Sequence, residues 1–290
     1  GKKGTTSRIE TDDPEIISGV FEGKTTGAPI TILFQNENSR SQDYSSLKNT
    51  PRPGHADFVA GVKFKGYNDH RGGGHFSGRI TLGLVSAGVI AKKILTLKGI
   101  KISSKIIEVG GMKDKKDIDA LIDKTTKDGD SLGAVIECKI KNVNIGLGEP
   151  FFDSVESMIS HAVFSVPGIK GIEFGSGFSS AAMKGSELND TIISRKGKTL
   201  SNNSGGINGG ISNGNEIIFR IAIRPTPSIS IPQNTINLAT GKREELIIHG
   251  RHDVCFALRV PPIIEAVGAM VIVDLMLRNK SLQMNNNRRS

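Results

Sequence analysis

The stretch from Pro262 to Leu277 constrains this chain more than any other. Read as a helix it is apolar on nearly every side, with Ile263, Ile264, Val267, Val271, Ile272 and Leu275 spread around its axis. A helix without a polar face is a buried helix, so the fold has to close around it. At 290 residues the chain is long enough for a large core, arranged as one large domain or two small ones.

The elements around that helix alternate. Ile16 to Phe21 and Pro29 to Phe34 read as strands on either side of the turn-rich Glu22-Gly23-Lys24-Thr25-Thr26-Gly27, which predicts a hairpin. A first helix is expected over His55 to Phe64 and a longer one from Ser77 to Leu97. In the longer one Leu82, Val85, Ala87, Val89, Ile90, Ile94 and Leu97 supply the apolar face, and Gly83 and Gly88 suggest close packing on a neighbour. Strands follow at Ile100 to Val109, within Ser131 to Ile145, at Ile169 to Phe174, at Glu216 to Ile223 and at Leu246 to Ile248. Helices are expected at Lys115 to Lys127 and Asp153 to Phe164. Hairpin signals favour antiparallel pairing and an α+β fold over a doubly wound parallel sheet. A strand-helix-strand grouping that occurs twice suggests a single domain, residues 1–284, with two pseudo-equivalent halves. The polar stretch 285–290 reads as a disordered tail.

Charge narrows the function classes. Lys and Arg number 38 against 29 Asp and Glu, a formal charge of +9, which suits a partner bearing phosphates or carboxylates. A basic, non-catalytic protein that binds RNA or another polyanion is one reading. Against it, Trp is absent, the only tyrosines are Tyr44 and Tyr67, and the basic residues are scattered rather than blocked, so stacking platforms for bases are few. Cys138 and Cys255 lie far apart and write neither a disulfide framework nor a Cys-x-x-Cys metal site, which fits a reducing cytoplasmic setting. No apolar run reads as a membrane span and no signal peptide is visible; the chain starts at Gly1, as though within a longer gene product.

Six glycine clusters punctuate the sequence: Arg71-Gly72-Gly73-Gly74, Gly110-Gly111, Gly146 to Gly148, Gly175 to Gly177, Gly205-Gly206 and Gly209-Gly210. Each is either a tight turn or a loop whose bare N–H groups can approach a phosphate. Ile172-Glu173-Phe174-Gly175-Ser176-Gly177 starts like a dinucleotide-binding turn, but its third glycine position is Ser180 and no acidic residue follows about twenty positions on. His55, His70, His75 and His252 lie beside Arg, Asp or Gly. Their spacings match no common zinc motif. Acid–base chemistry on an anion suits them better, with imidazole moving a proton near neutral pH and arginine forks gripping carboxylate or phosphate. In an extended Arg251-His252-Asp253, residues 251 and 253 point to the same side, as they would in a surface ion pair or in a pocket.

Taken in order, these segments resemble the chorismate synthase family along nearly the whole chain. The resemblance is carried by Arg52-Pro53-Gly54-His55-Ala56-Asp57, Arg71-Gly72-Gly73-Gly74 and Arg251-His252-Asp253. Further matches are Ser18 to Ile30, Gly129-Asp130-Ser131, Gly146 to Pro150, Lys170 to Glu173, Asn202 to Ile207 with Gly209-Gly210, and Pro225 to Ile229. The resemblance implies a homotetramer whose subunit is a β-α-β sandwich, helices packed between antiparallel sheets. It also implies a reaction, the elimination of phosphate from 5-enolpyruvylshikimate 3-phosphate to give chorismate, the last common step toward the aromatic amino acids. Reduced FMN is required there without net redox change, because it can lend electron density to the allylic system and recover it.

By the same resemblance His55 lies against the flavin and supplies the proton that keeps it reactive. Asp253 lies near flavin N5 and passes on the proton taken from the substrate, with Ser77. Arg52, Arg79 and Arg251 are expected on the substrate's carboxylates and phosphate. Flavin contacts are expected at His75, Phe76, Ser77, Pro167, Gly168, Gly209, Arg224, Pro225, Thr226, Pro227, Ser228 and Arg251. No metal and no nucleic acid is implied, and the reduced flavin comes either from an NADP-linked reductase activity of the chain itself or from an external flavin reductase. Three departures stand out. His75-Phe76-Ser77-Gly78-Arg79 replaces a common Arg-Ser-Ser-Ala-Arg, and Pro167-Gly168 replaces a usual Asn-Ala. The family's early Gly-Glu-Ser-His-Gly segment, whose histidine serves the departing phosphate, is not found, so the sequence is expected to carry the flavin half of the site.

Overall fold

The computed structural model describes residues 4–5, 12–35, 49–69, 71–248 and 252–286. The chain gathers into two compact units, Gly1–Gly83 with Ile122–Ser131 and Thr226–Val254, and Leu84–Leu121 with Leu132–Pro225 and Cys255–Ser290. They are interleaved in sequence rather than formed from successive halves.

In the first unit the expected hairpin is present as two short ladders. Strand β1 (Glu15–Ser18) pairs antiparallel with β4 (Thr31–Leu33), and β2 (Val20–Phe21) with β3 (Lys24–Thr25). The break falls at Gly19, which has φ +81° and where a Cβ would stand 2.6 Å from the Pro29 carbonyl oxygen. Helix α1 (Asp57–Lys63) lies inside the range expected for it. A second antiparallel hairpin, β11 (Gln233–Ile236) with β12 (Arg243–Leu246), completes this unit. Its first strand was not expected from sequence, and the second begins three residues earlier than the Leu246 to Ile248 reading.

The second unit is built on a four-stranded antiparallel sheet of β5 (Lys101–Val109), β6 (Ala134–Lys141), β10 (Ile217–Ile223) and β7 (Ile169–Phe174), in that spatial order. Alternation decides its two faces. Ile136, Cys138 and Ile140 on β6 and Ile217, Phe219 and Ile221 on β10 all point inward and are buried. The other face carries a row of alternating charge, Lys105–Glu137–Arg220–Glu173, with N···O separations of 3.7, 3.9 and 2.7 Å from one strand to the next. The inner face packs on α4 (Val155–Phe164) and α6 (Pro261–Asn286). As its all-round apolarity predicts, α6 is buried through Ile264, Ala266, Val267, Ala269, Val271, Ile272 and Leu275. It also runs on past Leu277, so Asn285 and Asn286, read as tail, are its last helical residues; 287–290 lie outside the described residues.

Helix α2 (Thr81–Leu97) corrects two expectations. Its core-facing residues are Leu84, Ala91 and Leu95, whereas Val89, Ile90, Ile94 and Leu97 are exposed, the last at 86%. Small size chose the face: a Cβ on Gly88 would lie 2.2 Å from the Cβ of Ala266, so the helix meets α6 where glycine lets the backbones touch. Gly83, in contrast, has nothing within 4 Å of where a Cβ would be. The second correction is that Gly78–Leu97 is long and apolar enough to cross a membrane, with mean hydropathy 1.7, although only 22% of it is buried. Its Gly88, Ala91 and Leu95 stripe nonetheless belongs to the core of this unit, and Lys92 reaches Glu265 of α6 at 2.7 Å.

Remaining elements follow the reading closely. Helix α3 (Lys115–Asp128) matches its charged segment, and the glycine-rich stretch after β7 holds a 3-10 helix at Gly177–Ala182, the short helix α5 (Gly185–Leu188) and the hairpin β8 (Ile207–Asn208) with β9 (Ile211–Ser212). Gly175-Ser176-Gly177, the start of the rejected dinucleotide motif, is a backbone crossing: Gly175 and Gly205 lie so close that a Cβ on Gly205 would sit 2.4 Å from the Gly175 nitrogen.

Candidate active site

The site begins with a turn. In Arg52-Pro53-Gly54-His55 proline stands second and glycine, with φ +69°, third; the His55 N–H donates to the Arg52 carbonyl at 3.2 Å. That is the chemistry of a type II turn, in which proline presets its own φ and only glycine enters the left-handed region easily. The turn sets residues 52 and 55 side by side just before α1 and is tied to β11, whose Thr235 hydroxyl donates to the Pro51 carbonyl at 2.6 Å.

Three side chains converge there. The Arg52 guanidinium grips Asp57, the first residue of α1, with Nε 2.7 Å from Oδ2 and Nη2 2.8 Å from Oδ1, and the Arg52 backbone N–H adds a bond to Oδ2 at 3.1 Å. His55 Nδ1 lies 2.6 Å from Asp57 Oδ1 and 3.1 Å from Arg52 Nη2. Arg52 Nη1 donates to the buried Ser228 hydroxyl at 3.3 Å, and Arg52 is only 7% exposed. Burial by itself would raise the pKa of Asp57; hydrogen bonds from Arg52 and His55, and their positive charge, outweigh it and hold the carboxyl well below the usual range. A folded-state pKa below the unfolded value means Asp57 stabilises the fold fully above the ordinary aspartate range, near pH 4, and loses that contribution as pH falls below it. The urea midpoint is therefore expected to fall between pH 5 and pH 3, and to fall less steeply in Asp57→Asn.

The next expected group is built on the 3-10 turns that lead into α2. Ser77 caps Gly78–Ile80, its Oγ accepting the Arg79 N–H at 3.2 Å. Arg79 Nη2 lies 2.9 Å from Asp12 Oδ1 and 3.2 Å from the Gln35 carbonyl. His75 stacks on Phe64 at 6.0 Å and meets Phe76 edge-on at 6.2 Å. Asp253 also belongs to the first unit and is half-buried; Arg251 and His70 lie outside the described residues.

The expected flavin contacts fall in both units. Thr226, Pro227 and Ser228 belong to the first, Pro167, Gly168, Gly209, Arg224 and Pro225 to the second. Within the second, the Arg224 N–H donates to the Gly168 carbonyl at 3.0 Å, and Gly168 rests on the Phe256 ring, where a Cβ would stand 2.5 Å from its Cζ. Gly209 and Gly210, with φ of +60° and +85°, form the turn between β8 and β9. Thr226 offers a direct test of whether these residues suit a polar cofactor. Its Oγ1 is buried with no hydrogen-bond partner among the described residues, the kind of group that a ligand satisfies. Among the described residues, no three of His, Cys, Asp and Glu lie close enough to share a metal ion.

Sequence reasoning placed Arg52 and His55 together but gave Asp57 no task. The available signal was the spacing Arg-x-x-His-x-Asp across a Pro-Gly turn, which leaves the carboxylate within reach of both. Ser228, read as a flavin contact, is here the acceptor for Arg52.

A half-buried carboxylate set against an imidazole and held by an arginine, in a mixed α and β fold, is an arrangement suited to an enzyme that handles protons. The chain belongs to the chorismate synthase family, whose model matches residues 1–277. The chorismate synthase of Chitinophaga pinensis is 56% identical over 278 residues, 96% of this chain and 82% of that protein. That of Thermococcus gammatolerans is 43% identical over 303 aligned positions, covering 97% of this chain and 85% of its own length. Among solved structures, a crystal structure of chorismate synthase superposes with a TM-score of 0.69 at 27% identity, over 92% of this chain and 78% of that one. The family is one of lyases in aromatic amino-acid biosynthesis, and the polyanion-binding alternative is not favoured.

Proposed function

We infer that this chain eliminates phosphate from 5-enolpyruvylshikimate 3-phosphate to give chorismate, with reduced FMN as cofactor. The observation that carries the reading is the Arg52–His55–Asp57 cluster, standing at the motif through which the sequence resembles the family. His55, with Nδ1 against a carboxylate, presents its other nitrogen for holding and returning a proton at the flavin. Asp253, with Ser77 near it in the reaction, passes on the proton removed from the substrate. Arg79 and Arg251 hold the substrate's carboxylates and phosphate, where a planar fork fixes orientation better than an ammonium. Arg52, with three of its donors on Asp57 and Ser228, adds positive charge beside them and keeps its other N–H groups for an anion.

The flavin would be held by His75, Phe76, Ser77, Pro167, Gly168, Gly209, Arg224 to Ser228 and Arg251, with the Thr226 hydroxyl as one donor or acceptor toward it. When bound and reduced, it supplies electron density to the allylic system as phosphate leaves. The reading extends to a homotetramer of β-α-β sandwich subunits in the cytoplasm. What supports assembly is the exposed apolar row Val89, Ile90, Ile94 and Leu97 on α2, and what supports a reducing compartment is that both cysteines are buried thiols outside any disulfide. The reductant of the flavin, from the chain itself or an external reductase, is part of the same proposal.

The test is phosphate release from the enolpyruvyl substrate under anaerobic conditions with reduced FMN. Release at catalytic flavin concentrations, with no steady consumption of reductant, is the expected result. Consumption of one reductant per turnover would identify an ordinary flavin oxidoreductase. No release, with RNA affinity that falls steeply with salt, would favour the polyanion-binding protein.

A further inference from the structure

We propose that Asp57 is a positioning residue that fixes His55 with its proton on Nδ1, so that Nε2 is the one nitrogen at which the ring takes up and returns a proton. The proposal rests on the reading of His55 as the proton-handling group, but its first test needs neither flavin nor substrate.

Donors and acceptors around the ring decide where its hydrogen sits. His55 Nδ1 has two neighbours, Asp57 Oδ1 at 2.6 Å and Arg52 Nη2 at 3.1 Å, and it cannot serve both. A guanidinium N–H could donate only to a bare nitrogen, whereas an ionised carboxylate can only accept. Arg52 Nη2 carries two hydrogens and already spends one on Asp57 Oδ1 at 2.8 Å, whereas Oδ1, which has none, can meet Nδ1 at 2.6 Å only by accepting its hydrogen. Nδ1 therefore carries the hydrogen and donates it to Oδ1. The depressed pKa of Asp57 agrees, since it keeps the acceptor charged. Arg52 fixes the far side of the carboxylate through its Nε and backbone N–H, both on Oδ2, and is itself anchored on Ser228. Among the described residues, the charged side chains recorded against the ring are Arg52 from the turn and Asp57 from α1. Proton bookkeeping is simple: the Nδ1 proton and the Asp57 charge stay in place, and the proton that Nε2 gives up is regained from solvent.

The same donors and acceptors predict what Asp57→Asn does. Oδ2 receives two donors that cannot change, the Arg52 Nε and backbone N–H. The amide oxygen of asparagine must take that place, which turns its NH2 toward His55. Nδ1 can then satisfy it only as an acceptor, so the ring moves its hydrogen to Nε2.

The experiment is a two-dimensional nitrogen–proton spectrum of the ligand-free 290-residue chain labelled at histidine nitrogen, recorded where the ring is neutral. The native chain is expected to show His55 protonated on Nδ1, Asp57→Asn protonated on Nε2, and Asp57→Glu protonated on Nδ1 again. In turnover, Asp57→Asn is expected to lower kcat on the order of 100-fold with KM changed less than about threefold, and Asp57→Glu to recover part of it. A native ring protonated on Nε2 overturns the proposal, and so does an Asp57→Asn chain whose tautomer and kcat match the native ones. Should Asp57→Asn fail to fold, the native tautomer and the Asp57→Glu chain decide. A spectrum as expected in a chain without lyase activity would sustain the positioning role and sink the functional reading instead.

Discussion

His55→Ala is expected to lower kcat for phosphate release by about 10²–10⁴-fold, the range that a positioned acid–base group supplies. The substitution removes the ring but not the scaffold beneath it. The Arg52–Asp57 pair keeps its own bonds at 2.7 and 2.8 Å, and Arg52 keeps Ser228. KM should therefore stay within a few-fold of the native value and the protein should remain folded, because nothing in the turn or in α1 depends on the imidazole for a backbone hydrogen bond. A drop in kcat together with lost substrate affinity would move His55 from proton handling to binding. Turnover within threefold of native would remove it from the mechanism. Steady-state phosphate release across a range of substrate concentrations separates the three outcomes.

The second large effect is structural and lies in the other unit. Gly175→Val is expected to destabilise the fold by about 3–5 kcal/mol, a large share of the roughly 5–15 kcal/mol by which a domain is stable. Two costs combine. The residue has φ +55°, and a β-branched side chain in the left-handed region costs about 1–2 kcal/mol. Its Cβ would also stand 2.0 Å from the Asn203 carbonyl oxygen and 2.5 Å from the Gly205 nitrogen, both backbone atoms that cannot rotate away. Overpacking of that kind adds about 1–3 kcal/mol. A melting temperature lowered on the order of 10 °C is expected. Gly111→Ala is the control: its φ is +86° but nothing lies within 4 Å of its Cβ, so only the backbone cost applies. Equal losses at the two positions would mean that the crossing is looser than its distances indicate.

Much of this architecture could be read from residues. Strand β7 has the bounds that its pattern predicts, β10 and α3 differ from theirs by a residue, and the burial of α6 follows from its lack of a polar face. Periodicity failed where hydrophobicity carried no contrast. Helix α2 is apolar almost throughout, so its inward side was chosen by the small Gly88 against Ala266 of α6, a matter of shape that a hydropathy pattern does not encode. Strand β11, Gln233-Asn234-Thr235-Ile236, was missed because a mostly polar strand in a two-stranded hairpin has little alternation to show. The site divides in the same way. The Pro-Gly turn that joins Arg52 to His55 is written in local sequence, whereas Asp57 looks like any acidic residue in a first helical turn until its partners are seen. The contact between Arg52 and Ser228 spans 176 positions, beyond the reach of any local rule.

The charged row across the open face of the sheet has a consequence for how the strands find their alignment. Lys105, Glu137, Arg220 and Glu173 stand opposite one another only in the observed register. Because side chains alternate with a period of two, sliding β10 by one position would turn Arg220 into the core and put Phe219 and Ile221 in water. A slip of two would restore the faces but break the sequence of signs, bringing the Ile218 or Ala222 side chain between the two glutamates. The hydrophobic side forbids odd slips and the ionic side disfavours even ones, so the row acts as a vernier that leaves this sheet a single way to close.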